Sequence, residues 1–298
     1  MEEVLGHLFR FVHYAGLLLL FGAAAFLIFA RGWRAHVPMR LFTGAAIILP
    51  FVSAGLMALL IAQMMGVPAT ALDGQMIGAI LFGTDMGMAF IVRVLALIVG
   101  CIAIAMVGRA KLSLPLAMVF YAIALATLPW SGHAAATEGG LGLFHRANDA
   151  VHLLAAGAWI GTIGLFFYLV TRAQREPQTV SPATLLASLH RFAPLGVALV
   201  VTVAITGVVN MELVFGLHNA IAVAPNGYGQ LLMAKVGLVG LMLGCAIFNA
   251  RCVRRRVQLR SDDVEPLRAL RVSLAAELSF AVMAVALVAI LSVMMPIE

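Results

Sequence analysis

Charge is scarce in this sequence. Charged residues make up 11% of the 298 positions and hydrophobic ones 63%, whereas soluble domains carry about 25% charged residues. The mean hydropathy is +1.06. So few charges cannot cover the surface of a water-soluble protein of this length, and nearly the whole chain is expected to lie in lipid. The composition excludes an ordinary soluble enzyme or a nucleic-acid-binding domain.

Cysteine and nucleotide-binding motifs are also nearly absent. The three cysteines, Cys101, Cys245 and Cys252, are scattered and form no CxxC pair, which argues against a disulfide framework or a thiolate metal site. The sequence contains no GxxxxGK[ST] loop and no DKTGT-like segment, so we expect neither an ATP-driven pump nor an enzyme. The start, Met1-Glu2-Glu3, has no basic region and is interpreted as leading into a retained first span.

Long apolar runs are abundant. A spanning helix needs about 20 mainly apolar residues, and runs of this kind predict an all-α polytopic membrane protein with eight transmembrane helices in a single domain, 1–298. The predicted spans are 5–30, 41–65, 88–108, 113–131, 147–171, 189–213, 229–250 and 270–295.

The basic residues predict the orientation. Fifteen of the nineteen Lys and Arg residues lie in or beside the loops after spans one, three, five and seven. The four on the other side are Arg10, Arg93, Arg146 and Lys235. Because basic loops stay in the cytoplasm, both termini are expected in the periplasm. The pI of 9.8 therefore reflects orientation and contact with anionic membrane lipids, and no nucleic-acid partner is expected.

The two halves of the chain resemble each other. His13 and His152 each follow a valine, and each precedes a glycine by nine residues, Gly22 and Gly161. Gly87, Arg93 and Arg109 in span three align without gaps onto Gly229, Lys235 and Arg251 in span seven. With four spans per half the repeats run parallel. The sequence thus predicts two parallel four-helix repeats, about 1–131 and 132–298, with His13 opposite His152; chance similarity between apolar helices is the alternative.

Potential ligands for a soft metal gather on the predicted outer face. The histidines there are His7, His13, His133, His145, His152 and His218, and the methionines are Met64, Met65, Met76, Met86, Met88, Met211, Met294 and Met295. Imidazole and thioether suit copper, and thioether suits Cu(I) in particular. This side of the membrane is therefore a candidate for copper handling, although methionine is also common packing filler.

Span five carries the densest set of candidates. His145, Asp149 and His152 fall at i, i+4 and i+7 on one helical stripe, which Trp159 extends. Asp149 is expected to accept a ring N–H from His152 and so orient it for a metal. His145 and His152 are about 10.5 Å apart by helix rise, too far for one ion to bind both. An interfacial helix start with amphipathic anchors is the alternative.

A three-histidine copper site is the sharpest expectation. His133 follows a Pro-Trp-Ser-Gly turn at the end of span four, which can direct its ring toward the bundle. His13, His133 and His152 would then form an open copper site at the outer level. Met86 and Met88 would pass Cu(I) toward it. Zinc also accepts three histidines, and the methionines favour copper.

Ionisable residues inside spans are functional candidates that require partners. Lys235 and Arg93 occupy matching places, and Glu212, beside Asn210, is the expected partner of Lys235. Glu277 in span eight is expected to pair with Arg251 or Arg271. For all of these, contacts that merely join helices are an equally good interpretation.

These residues resemble the copper resistance protein D (CopD) family of bacterial inner-membrane proteins. The resemblance rests on Ser131-Gly132-His133-Ala134, on the stretch from Asp149 to Gly161, on Arg191-Phe192, on Gly207-Val-Val-Asn210, and on the stretch from Gly229 to Arg251. Ala193 stands where a serine is expected after Arg-Phe. The resemblance implies copper transport from the periplasm to the cytoplasm and a periplasmic copper carrier of the CopC type as partner. It does not supply a ligand set.

A b-haem membrane protein for electron transfer is the main alternative function. Histidines on facing helices also ligate haem iron, and His13, His133 and His152 could supply such a pair. A membrane scaffold without any ligand is a third hypothesis. A Soret band in the purified protein would indicate haem, whereas a colourless preparation that retains copper would indicate a transporter.

Overall fold

The computed structural model describes residues 2–259 and 265–295, and it is built from helices. The helices are α1 (Glu2–Phe29), α2 (Met39–Met65), α3 (Gly74–Gly83), α4 (Asp85–Ala105), α5 (Ser113–Ala126), α6 (Gly139–Arg175), α7 (Pro182–Phe215), α8 (Ala220–Val223), α9 (Gly227–Leu259) and α10 (Glu265–Leu291). Short 3-10 turns connect several of them, and no strand occurs among the described residues.

Eight of these helices are long and apolar enough to cross a membrane, which confirms the predicted number. They are α1, α2, α4, α5, α6, α7, α9 and α10. Large apolar side chains such as Leu41, Phe51 and Val197 are mostly exposed on the outside of the bundle, as expected for a surface that contacts lipid. The all-α polytopic fold class predicted from the sequence is therefore confirmed.

Several helix boundaries differ from the prediction. Helix α6 begins eight residues earlier than expected, at Gly139, and α7 begins seven residues earlier, at Pro182. The segment between spans two and three, expected to be a loop, contains α3. The Asp73 side chain accepts a hydrogen bond from the Met76 backbone N–H, 2.8 Å away, and so caps α3. The polar first turns of α6 and α7 explain why hydropathy alone placed their starts too late.

The eight long helices form two rings of four. In the first half α1 packs against α2, α2 against α4, α4 against α5, and α5 against α1. The second half repeats this order, with α6 against α7, α7 against α9, α9 against α10, and α10 against α6. The halves meet mainly through α1 and α6, and α10 contacts α1 as α5 contacts α6. The two halves thus share the same order of helix contacts.

Two glycines allow α1 and α6 to approach closely. A Cβ atom on Gly22 would lie 2.1 Å from the carbonyl oxygen of Gly157, and one on Gly161 would lie 2.5 Å from the Cα of Gly22. Neither position can hold a side chain without separating the helices. Gly22 and Gly161 are also the pair matched in the sequence, so the contact joins equivalent positions of the predicted repeats.

The starts of α4 and α9 correspond in detail. The Thr84 hydroxyl accepts a hydrogen bond from the Gly87 N–H at 3.0 Å, and the Asn226 side chain accepts one from the Gly229 N–H at 2.8 Å. A Cβ on either glycine would collide with the backbone of the short helix before it. We therefore propose that residues 1–131 and 132–298 are repeats of one four-helix unit, as the sequence predicted.

One end of the bundle collects the predicted ligands, and we call it the histidine end. Here α1 begins and α10 finishes: a ring nitrogen of His7 lies 3.4 Å from the Ala289 carbonyl oxygen, and one of His133 lies 2.9 Å from that of Leu291. The arginine-rich loops lie at the opposite end. Placement of the histidine end in the periplasm remains a prediction from the distribution of charge.

Candidate functional site

The second half of the molecule contains a polar cluster between α6 and α7. The Asn148 amide donates to the Thr206 carbonyl oxygen at 3.0 Å and to the Asn210 side-chain oxygen at 2.7 Å. The Asn210 amide in turn donates to Asp149 Oδ1 at 2.8 Å. His152 Nδ1 lies 2.9 Å from the Thr206 hydroxyl. Polar residues one turn apart on α7 thus meet the polar stripe of α6.

The expected hydrogen bond from His152 to Asp149 is wrong. Asp149 accepts from Asn210 instead, and the hydrogen bond of the His152 ring goes to Thr206. The reason lies in the packing. Residues 149 and 152 both face α7, where Asn210 and Thr206 are spaced by one turn and each meets one of them. Thr206, which is buried, therefore takes the orienting role that was assigned to Asp149.

Lys235 of α9 adds a positive charge to this cluster. It interacts electrostatically with Asp149 and with His152. The expected partner Glu212 is exposed, and its Oε2 accepts the Leu217 backbone N–H at 2.8 Å, which closes the turn after α7. The pairing of Lys235 with Glu212 is therefore wrong, because Glu212 lies on the outer turn while Lys235 lies deeper, at the level of Asp149.

His133 and His145 lie at the outer edge of the cluster. His145 is buried, and its Nδ1 lies 2.9 Å from the Thr137 hydroxyl. The His133 ring packs edge-on against Tyr228, with centroids 5.8 Å apart. His133 is also close enough to His145 and Asp149 to interact electrostatically with both. We name His133, His145, Asp149, His152 and Lys235 the outer cluster.

Deeper in the same half, Trp159 contacts a buried carboxylate. The indole N–H of Trp159 donates to Glu277 Oε1 at 3.2 Å, and the Asn249 amide donates to Glu277 Oε2 at 3.0 Å. The expected pairing of Glu277 with Arg251 or Arg271 is wrong, because two neutral donors occupy both carboxylate oxygens. Sequence spacing had placed Trp159 on the His152 stripe but gave no sign of its partner.

The first half contains a small cavity at His13, which we name the His13 cavity. Its volume is about 30 Å³. It is lined mainly by α1, α2 and α4, through Arg10, His13, Tyr14, Ser53, Leu56, Met57, Leu60, Met86, Phe90 and Arg93, and by Leu128, Ser131, Ser292 and Val293. His13 is fully buried, and neither of its ring nitrogens has a hydrogen-bond partner. The Ser53 hydroxyl is likewise buried without a partner.

Arg93 is fixed beside this cavity. Its Nε donates to the Thr127 hydroxyl at 2.8 Å, and one terminal nitrogen donates to the Thr127 carbonyl oxygen at 3.0 Å. Met86 lines the cavity as expected for a residue near His13, whereas Met88 is half exposed on the outside of α4. Arg10 also lines the cavity, whereas its place in the sequence indicated only a charge on the outer side.

The three predicted histidine ligands do not form one site. His13 faces the cavity of the first half, while His133 and His152 belong to the outer cluster of the second half. Among residues 2–259 and 265–295, no three His, Cys, Asp or Glu side chains are placed to hold one metal ion. The reason is that each helix of the α1–α6 pair directs its histidine into its own ring. The individual residues stay predicted ligands, in two separate places.

Eight long apolar helices and few charges outside the arginine-rich loops define a polytopic helical membrane protein. Two family profiles match: "Copper resistance protein D-like, N-terminal domain" over residues 1–143 and "Copper resistance protein D" over residues 186–291. The chain belongs to the copper resistance protein D family.

Two curated relatives are similar over most of their length. Copper resistance protein D of Pseudomonas syringae pv. tomato is 30% identical over 306 residues, covering 99% of this chain and 98% of the relative. Inner membrane protein YebZ of Escherichia coli K12 is 26% identical over 268 residues, covering 86% and 87%. With the eight apolar helices, these relatives identify a multi-pass protein of the bacterial inner membrane that is connected with copper.

Proposed function

We propose that this protein transports copper across the inner membrane, from the periplasm to the cytoplasm, and binds it first at the outer cluster. The observation that carries this proposal is that His133, His145, His152 and the carboxylate of Asp149 lie in one half at the histidine end of a membrane bundle of the copper resistance family. Imidazole is a good ligand for copper in either common oxidation state. No catalytic step is part of the proposal.

Electrostatics favour the outer cluster over the His13 cavity as the first copper site. In the outer cluster the charges of Asp149 and Lys235 oppose each other, so neutral imidazoles can receive a cation without net repulsion. In the His13 cavity two guanidinium groups stand beside the histidine, and like charges at such distances repel strongly in a medium of low dielectric constant. His13 and Met86 are therefore proposed as ligands of a second, inner station.

Copper uptake by reconstituted protein tests this proposal. We expect proteoliposomes with the wild-type chain to accumulate copper, and the double variant His145→Ala/His152→Ala to lose most of the uptake. His190→Ala is the matched control, because His190 is an exposed histidine of α7 outside the cluster. Uptake that survives loss of both histidines would show that the copper site lies elsewhere.

Absorption of the purified protein tests the haem alternative in the same preparation. The His13 cavity, at about 30 Å³, is far below the ~300–1,000 Å³ typical of sites for organic ligands, so we expect no Soret band. The proposed donor of copper is a periplasmic carrier of the CopC type, which should deliver its ion at the histidine end. Faster uptake from the loaded carrier than from free copper at equal concentration would support that partner.

A further inference from the structure

The His13 cavity contains two buried positive charges and no negative one. Arg10 is 8% exposed and Arg93 is 5% exposed, and both line the cavity. Arg93 is bound by the hydroxyl and carbonyl of Thr127, which are neutral. In the described part of the chain no acidic side chain pairs with either arginine. Uncompensated charges inside a membrane protein are unfavourable, and such residues normally pair with a charge of opposite sign.

In the second half, the position that corresponds to Arg10 carries an acidic residue. The alignment that pairs His13 with His152 and Gly22 with Gly161 also pairs Arg10 with Asp149. The alignment of α4 with α9 pairs Arg93 with Lys235. In the second half, Asp149 stands at the position of Arg10 and interacts electrostatically with Lys235, which also interacts with His152. In the first half both corresponding residues are cationic, so among the described side chains nothing supplies the negative charge of this arrangement.

The neutral groups of the cavity also lack partners. Both ring nitrogens of His13 and the hydroxyl of Ser53 are buried and make no hydrogen bond. Buried polar atoms are nearly always paired, and an exception calls for a bound water or ion. The Ser53 hydroxyl and one N–H of a neutral imidazole are hydrogen-bond donors. Together with the two guanidinium groups they form a set of donors around one space.

The size of that space limits what can fill it. A volume of about 30 Å³ exceeds the roughly 10–15 Å³ needed for one water, but it leaves no room for a phosphate ester or an organic acid. Water would satisfy the hydrogen bonds and leave both positive charges uncompensated. We propose that the His13 cavity binds one small monovalent anion of halide size, chloride under ordinary conditions, in the place that corresponds to the Asp149 carboxylate.

The anion also affects the inner copper station. With a bound anion, the repulsion that Arg10 and Arg93 exert on a cation at His13 and Met86 is reduced. This consequence rests on the proposed copper transport, whereas anion binding itself does not. The two are distinguishable, because the anion is measured in the absence of copper.

Equilibrium dialysis of the purified full-length protein against radiolabelled chloride tests the site directly. We expect about one chloride per chain, displaced by bromide and not by gluconate, which is too large for the cavity. We also expect the thermal unfolding temperature in detergent to rise when chloride replaces gluconate at constant ionic strength, because a ligand of the native state stabilises it.

Arg10→Asp is the decisive variant. It removes one guanidinium and offers Arg93 a carboxylate in the position that Asp149 occupies beside Lys235. We expect it to abolish chloride binding and the chloride dependence of unfolding. Arg109→Gln, which removes an exposed positive charge at the other end of the bundle, is the control and should bind chloride as the wild type does.

Ser53→Ala is a milder variant in case Arg10→Asp fails to fold. Loss of one hydrogen bond to a charged ligand should weaken chloride binding roughly 10–100-fold. Absence of chloride binding in the wild type would overturn the proposal. Binding that persists unchanged in both Arg10→Asp and Ser53→Ala, or that falls equally in Arg109→Gln, would also overturn it, since the chloride would then be held elsewhere or by net charge.

Discussion

Asp149 of α6 interacts with residues of two other helices, α7 and α9. It accepts a hydrogen bond from Asn210 and lies close to the charge of Lys235. Asp149→Asn keeps the shape and leaves Lys235 without its anion, so we expect a loss of about 1–3 kcal/mol in unfolding free energy. Asp149→Asn/Lys235→Met should recover most of that loss, because it removes both charges together. Chemical unfolding of the four members of this cycle measures the coupling, and additive effects would show that the pair does not interact.

Glu277 connects three helices through two neutral donors. Glu277→Ala leaves the Trp159 indole and the Asn249 amide without acceptors, and each buried orphan costs about 1–3 kcal/mol. Glu277→Gln keeps one acceptor oxygen and the volume, so we expect it to lose much less stability. Thermal unfolding in detergent, followed by circular dichroism, compares the two. Equal losses would show that the charge matters more than the hydrogen bonds.

The sequence predicted the members of the outer cluster better than their contacts. The spacing of His145, Asp149 and His152 placed them on one face of α6, and the structure keeps them together with His133. Spacing within a helix does not tell which residue faces it from another helix, so Thr206 and Lys235 were not recognised as neighbours of His152. His13 was assigned to the same site as His133 and His152 for a similar reason. Its depth in the membrane could be inferred from the sequence, but the direction of its imidazole ring could not.

At the scale of elements, the contact between α1 and α6 depends on glycine. A side chain at Gly22 would overlap the backbone at Gly157 and Gly161, so Gly22→Leu should cost about 3 kcal/mol or more through overpacking. Gly237→Ala in α9 is the matched control. A Cβ there meets no atom within 4 Å, and the helix should be stabilised by up to about 1 kcal/mol. Size-exclusion chromatography and thermal unfolding check both variants.

The helices themselves were predicted to different degrees. Eight long apolar runs are enough to find eight spans, because a backbone in lipid must satisfy its hydrogen bonds within the helix. Helix α3 was missed because ten residues are too few to cross the membrane, and hydropathy then gives no reason to expect order. By helix rise α6 is about 55 Å long, which exceeds a ~30 Å hydrocarbon core. The polar residues of its first turns lower the mean hydropathy there, so a hydropathy window leaves those turns out of the span.

At the scale of the whole molecule, the orientation in the membrane is open to a direct test. We expect the histidine end in the periplasm because the arginines gather at the other end. Single cysteines placed at Gly140 and Gly32, where added side chains meet no neighbours, should react from opposite sides in a background without Cys101, Cys245 and Cys252. Labelling of both positions from one side would contradict the orientation.

The close α1–α6 contact has a consequence for how the two halves can differ. Parallel four-helix units that meet through equivalent glycines have the geometry of a symmetric dimer. In a true homodimer every substitution appears twice, so Arg10 in one copy would mean arginine in both. When the two units are joined in one chain, each can be substituted separately. One half can then keep an acidic residue that compensates its buried cation, while the other half has none at the equivalent position. By joining two such units into one chain, this protein can carry unlike residues at equivalent positions, as it does with Arg10 and Asp149, which no symmetric pair of identical chains could do.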